Sequence, residues 1–158
     1  MVKSSVERPE MRSTDVEICR AKNKDLPEIL ALLGTCELHK EGLAAHLSTT
    51  LVARKGNEIV GCSALELYQQ LALLRSVAVK PSLRKRGLGV ELTRAALDLA
   101  RECQVRKVYL FTLTASTFFS KLGFIQASRS DVPTAVRQSI EFTTLCPESA
   151  TVMTIPLP

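Results

Sequence analysis

Apolar and polar residues alternate through residues 15–21, DVEICRA, which predicts a strand. Residues 23–38 then place Leu26, Ile29, Leu30 and Leu33 at helical spacing, with Asp25 as N-cap and Pro27 in the first turn. A polar stretch runs on through His46. Three strands follow at 49–54, 58–68 and 71–80, the first two joined by Lys55-Gly56-Asn57, and the short turns make them an antiparallel meander. PSLRKRG at 81–87 interrupts the pattern. Residues 88–104 restart it with Leu88, Leu92, Ala95, Ala96 and Leu99 on one helical face. KVYLFT at 107–112 reads as a buried strand, 116–123 as a short helix ended by Gly123, and 124–128 as another strand. A helical turn at 132–140, a loop through Cys146-Pro147 and a last strand at 149–157 complete the chain.

Strand-helix-strand crossovers in the second half require parallel pairing there, against an antiparallel meander in the first half. The expected class is α/β (α+β), with a mixed twisted sheet of about six or seven strands and helices on both faces. One domain over residues 14–158 behind a flexible tail at 1–13 accommodates every element, and no internal repeat is visible.

Composition narrows the function classes. Of 158 residues 46% are apolar and 23% charged, ordinary globular values. No apolar run approaches a membrane span and the polar start lacks a secretory stretch, so the expectation is a cytoplasmic protein without a membrane partner. Cys19, Cys36, Cys62, Cys103 and Cys146 are dispersed, without zinc spacing; free thiols and no metal are expected. The net charge of +5 is uneven: residues 71–124 carry 10 Lys/Arg against 3 Asp/Glu. Arg75, Lys80, Arg84, Lys85 and Arg86 fall within twelve residues, which points to a focused anion site. Nucleic acid is disfavoured as the anion because the chain has no Trp and only two Tyr to stack on bases.

Arg84-Lys85-Arg86-Gly87-Leu88-Gly89 lies between a strand and a helix, where unpaired N–H groups converge, the helix dipole favours negative charge and glycines admit a phosphate close to the backbone. A diphosphate suits such a loop. There is no G-x-x-x-x-G-K-S/T, and Leu92 stands where a dinucleotide fingerprint needs its third glycine. LLRSVAVKPSLRKRGLGVELTRAAL, followed by ASTFFSKLGF, resembles the acetyl-CoA-binding core of the GCN5-related N-acetyltransferase (GNAT) superfamily. The resemblance implies acetyl-CoA as co-substrate. Its pantetheine arm would pair with the main chain of Val77 and Val79, its pyrophosphate with the amides of Lys85, Arg86, Gly87, Leu88 and Gly89, assisted by the Arg84 and Arg86 side chains. Thr114, Phe118 and Phe119 would sit beside its far end, although Phe118 and Phe124, as aromatics in apolar periodic segments, suit the core better.

N-acetylation needs a deprotonated amine and support for a developing oxyanion. The family often has a Glu on the strand before the anion loop, but LALLRSVAV carries none, and Phe119 stands where a Tyr acid is frequent. Glu66, on the adjoining strand, is the nearest candidate base; pairing with Arg75 is the competing reading, and a water relay the substitute. DVPTAVRQSIEFTTLCPESATVM resembles the C-terminal segment of arsenic-resistance N-acetyltransferases, themselves similar to the acetyltransferase domain of N-acetylglutamate synthases. This implies a small amino-acid-like amine bearing a carboxylate or an arsenic or phosphorus oxyacid, for which Arg75, Arg129 and Arg137 are bidentate partners. His39 and His46 read as surface residues and Cys146 as a packed small hydrophobe. A catalytically silent acetyl-CoA sensor and a protein lysine acetyltransferase are the alternatives, and a homodimer is compatible with any of them.

Overall fold

The computed structural model describes residues 15–145 and 147–158; the expected tail at 1–13 and Cys146 lie outside the described residues. The strands are β1 (Glu17–Arg20), β2 (Thr50–Lys55), β3 (Glu58–Tyr68), β4 (Leu71–Val79), β5 (Lys107–Thr112), β6 (Ile125–Ala127) and β7 (Thr151–Pro156). The helices are α1 (Leu26–Thr35), α2 (Leu88–Glu102) and the short α3 (Ser116–Ser120) and α4 (Thr134–Arg137). All seven strands form one mixed sheet in the order β1-β2-β3-β4-β5-β7-β6. The β2-β3-β4 meander is antiparallel and the β4-α2-β5 crossover gives a parallel pair, as the pattern predicts.

The second crossover corrects the expectation. β6 does not pair with β5, because β7 lies between them, antiparallel to both. The reason is burial. Val152 and Met153 of β7 enter separate cores on the two sheet faces, which demands an interior position, whereas β6 is three residues long with Ile125 and Gln126 exposed and suits the edge. Other bounds shift modestly. The expected 23–38 helix opens with a 3-10 turn at Asn23–Asp25 and α1 ends at Thr35, and the 132–140 turn resolves into a 3-10 turn at Arg129–Asp131, α4 and a π turn at Glu141–Leu145. The polar stretch before β2 contains a 3-10 segment, Leu43–Thr49, kinked at His46. Asp25 makes no side-chain cap on α1. Its carboxylate accepts from Lys22 N and pairs with Arg54 of β2 instead, stapling the helix start to the sheet.

The helices cover opposite faces. Leu51 and Leu65 pack with Ala96, Leu97 and Ala100 of α2, while Val52, Cys62 and Ala64 pack with Ile29 and Leu33 of α1. α2 is drawn close by a glycine: a Cβ on Gly61 would lie 2.8 Å from Leu92 Cδ1 and 3.1 Å from the Ala78 carbonyl oxygen. Ser63 Oγ donates to the Leu92 carbonyl at 3.1 Å in the same contact. This seating fixes where the N-terminus of α2 emerges.

Gly61→Ala is therefore expected to lower unfolding free energy by about 1–3 kcal/mol through overpacking, read as a shift in urea midpoint at constant slope. A second outcome follows from Asp25, whose carboxyl the Arg54 guanidinium holds below its ordinary value. A depressed folded-state value gives stability that is full above about pH 4 and lost as pH falls through that value. Asp25→Asn is expected to flatten the acid limb of the stability–pH curve by up to one proton.

Candidate active site

β4 and β5 are joined at three residue pairs only, Leu71–Lys107, Ala72–Val108 and Leu73–Tyr109. Beyond Leu73, β4 continues to Val79 against β3 alone, and β5 continues to Thr112 against β7 alone. A wedge opens between them. Its cause is a bulge in β4: Ala64 faces Arg75 and Cys62 faces Ala78, so Ser63 stands opposite two residues. Ser76, one of those two, is a non-glycine residue at φ 60°, a left-handed conformation held in place by its surroundings. The Cys62 thiol, pushed up to about 12 by burial, donates to the Ser76 carbonyl at 3.2 Å. Val77 and Val79 are half-buried at the wedge, and Lys80 N donates to the Val60 carbonyl, which turns the Val79 peptide toward the open edge.

The basic loop lies at the wide end. Lys85 has φ 66° and Gly87 φ 86°, and no side chain caps α2. Leu88 is buried beneath the loop, and Gly89 starts the helix against Phe118, to which a Cβ would come within 3.3 Å. Gly87 has open space around it. The first amides of a 15-residue helix thus lie uncapped beside the exposed Gly87 and the half-buried Gly89. That fits a pyrophosphate. The five expected cations do not converge on it. Lys80 pairs with Glu58, and Arg84 folds back, its Nε donating to the Val79 carbonyl at 3.0 Å and its Nη2 to Cys36 Sγ at 3.3 Å. Lys85 and Arg86 are exposed on the loop.

Arg75 lies inside the protein instead. Its side chain is fully buried and ties four segments together: Nη1 donates to Glu66 Oε2 at 2.9 Å, Nε lies 3.1 Å from Ser76 Oγ and 3.5 Å from Glu141, and Nη2 donates to the His39 carbonyl at 3.3 Å. Glu66 is 1% exposed. The Tyr68 hydroxyl donates to its Oε1, and His46 Nε2 stands 3.7 Å from the same oxygen. Burial raises the Tyr68 phenol well above its ordinary value, and the Glu66 carboxylate adds to the effect. Tyr68 therefore remains a hydroxyl donor. Glu66 pairs across the sheet with Leu73, the last β4 residue joined to β5, so this cluster sits at the closed apex of the wedge.

Other expected site residues are placed differently. Phe119 is buried, edge-on to both Phe118 and Phe124; it is Phe118, half-buried, that lies over Gly89. Thr114 is exposed after β5. Arg129 and Arg137 are spent on their own segment. Arg137 donates to the Val132 and Ser130 carbonyls at 2.7 Å each, Arg129 to the Pro147 carbonyl at 3.4 Å, and both guanidiniums stack on Phe142. Neither Tyr68 nor Glu141 is among the site residues expected from the sequence. Tyr68 was recoverable, being two residues from Glu66 on the same strand face. Glu141, a lone acid between Ile140 and Phe142, carried a weaker signal. Among the described residues there is no group of three side chains suited to a metal, and no helix is long and apolar enough to cross a membrane.

Residues 16–124 match the model of the acetyltransferase (GNAT) family. The chain is 29% identical over 140 residues to an amino-acid acetyltransferase of Mycobacterium tuberculosis, covering 82% of this chain and 79% of that one. To an amino-acid acetyltransferase of Actinobacillus pleuropneumoniae it is 26% identical over 131 residues, 77% of this chain but only 30% of the relative's length. The fold superposes on N-acetylglutamate synthase of Neisseria gonorrhoeae, solved with coenzyme A and N-acetyl-glutamate, with a TM-score of 0.80 at 23% identity over 94% of this chain and 37% of that one. The match over residues 16–124 is more than half of the chain, and the chain belongs to the GNAT acetyltransferase family, whose acetyl donor is acetyl-CoA.

Proposed function

We propose that the chain is an N-acetyltransferase for the α-amine of a small amino acid. The observation that carries this reading is the parted β4–β5 pair ending at the uncapped α2 N-terminus. The residues fit the donor: the amides of Lys85 through Gly89 hold the pyrophosphate, and the Val77 and Val79 main chain lines the pantetheine arm. Gly89 and Phe118 shape its path, with Thr114 and Phe119 on the α3 side of the wedge. Bound there, acetyl-CoA supplies an acetyl thioester at the bulge. Orientation of amine and thioester within one cleft provides much of the rate.

The amino-acid acceptor is supported by the two amino-acid acetyltransferase relatives. Of the three arginines expected to bind it, Arg75 lies at the apex, but buried and bound to Glu66, Ser76 and the His39 carbonyl, so it braces the apex and does not clamp the acceptor. Arg129 and Arg137 order the segment from which Glu141 reaches Arg75. An arsenic or phosphorus oxyacid acceptor is implied by the likeness of the C-terminal segment to arsenic-resistance acetyltransferases.

Two outcomes test the reading. Gly89→Val is expected to raise the acetyl-CoA dissociation constant at least tenfold, about 1.4 kcal/mol, measured by calorimetry on folded protein, because the added methyls push into Phe118 and the pyrophosphate path. In a CoA-release assay, glutamate-like amino acids are expected to exceed their decarboxylated amines by at least tenfold in kcat/KM, with amino-arsonates and aminophosphonates in the same panel. Acetyl-CoA binding without CoA release on any amine would establish the silent sensor instead.

A further inference from the structure

We infer that His46 takes the proton from the acceptor's ammonium group, with Glu66 as the buried charge behind it. This rests on the acetyltransferase reading and reassigns the base within it. Glu66 is poorly placed to meet an amine itself. It is 1% exposed, Arg75 occupies Oε2, the Tyr68 hydroxyl occupies Oε1, and the His46 ring stands 3.7 Å from that same oxygen. The His46 side chain is 27% exposed and Tyr68 is half-buried, but Tyr68 stays a hydroxyl donor, so His46 is the solvent-facing member able to accept a proton.

Its position is built. The 3-10 segment kinks at His46, φ −119° and ψ 23°, and the His46 carbonyl accepts from Thr49 Oγ1 at 3.3 Å and Thr50 Oγ1 at 2.9 Å. These bonds fix the backbone from which the ring reaches Glu66. Glu66 faces Leu73, where β4 leaves β5, and the ring lies beside the Glu66 carboxylate at that end of the wedge. The titratable and charged groups around it are Glu66 and Tyr68 of β3 and, beyond Glu66, Arg75 of β4 and Glu141 of the π turn. The nearest is the carboxylate, which stabilises the imidazolium once formed.

The protons balance. His46 removes one proton from the ammonium and returns it to water. The freed nitrogen attacks the thioester carbon, the C–N bond forms as the C–S bond breaks, and the second amine proton leaves with the CoA sulfur as thiol. The acceptor becomes an amide and one proton is released per turnover.

The test uses two acceptors with the same carbon skeleton, an amino acid, largely ammonium at pH 7, and its aminooxy analogue, already neutral there. His46→Gln is expected to lower kcat/KM for the amino acid by about 10² or more and for the aminooxy acid by only a few-fold, with acetyl-CoA affinity unchanged. Equal losses on both acceptors, or none, overturn the assignment. A readout without turnover accompanies it: Glu66→Gln is expected to displace the His46 ring resonances, identified by their absence in His46→Gln. If that variant fails to fold, Tyr68→Phe alters the same carboxylate oxygen and supplies the same readout. Ring resonances unmoved by either variant overturn the pairing. A wild-type protein that binds acetyl-CoA and acetylates no amine overturns the acetyltransferase reading, a result distinct from selective failure of His46.

Discussion

The parting of β4 from β5 after Leu73 is the constraint around which the rest of the molecule is arranged. Strands inside a sheet ordinarily exhaust their peptide groups on each other, and two that separate in the interior leave N–H and C=O groups facing a gap. Three features hold the gap open. The Ser76 bulge turns β4 away, β7 anchors β5 along its whole length from the other side, and α3 places Phe118 against Gly89 at the wide end. An extended ligand with amide groups, laid along β4, satisfies the edge that the fold leaves unpaired.

The buried charges at the apex follow from this opening. Moving an arginine and two carboxylates out of water carries a desolvation cost that their mutual attraction does not always repay, and an apolar cluster would stabilise the fold as well. Here the cluster does something apolar side chains cannot. Arg75 links β3, the bulge, the chain after α1 and the π turn through one planar group with five donors. Gly42 shows how tightly these segments close: at φ 83°, a Cβ there would lie 3.3 Å from Arg75 Nη1 and 2.9 Å from Ile140. Loops that would otherwise be independent are thereby fixed in register with the bulge.

Local pattern made most of this legible. Alternation gave β1, short turns between apolar segments gave β2 through β4 and a buried apolar run gave β5, with β3 and β5 at their observed limits, and the apolar stripe of α2 gave its start. The anion loop was readable because glycine spacing and a helix start encode its geometry directly. What the sequence did not show were consequences of tertiary placement. β7 enters between β5 and β6 because both its faces are buried, a fact about the assembled sheet and not about its own string of residues. Likewise Arg75 counted as one of a run of cations along the chain, but strand alternation turns it to the face opposite α2, where Glu66 and Glu141 await it. His46 looked like surface because its partner lies twenty residues away on another element.

Charge at the loop is therefore organised differently from what linear clustering implies. Arg84 spends its Nε on the Val79 carbonyl and part of its guanidinium on Cys36, so it pins the end of β4 to the end of α1 and shapes the loop instead of reaching into it. Lys85 and Arg86 extend into solvent, where a single exposed pair contributes at most about 1 kcal/mol and is screened by salt. The durable part of the anion site is then the backbone: the left-handed turns at Lys85 and Gly87 and the first amides of α2, whose dipoles are fixed by covalent geometry and by Leu88 and Leu92 buried beneath them. Exchange of the loop's cations should matter chiefly at low ionic strength, while any change that reseats α2 on Gly61 displaces the amides themselves.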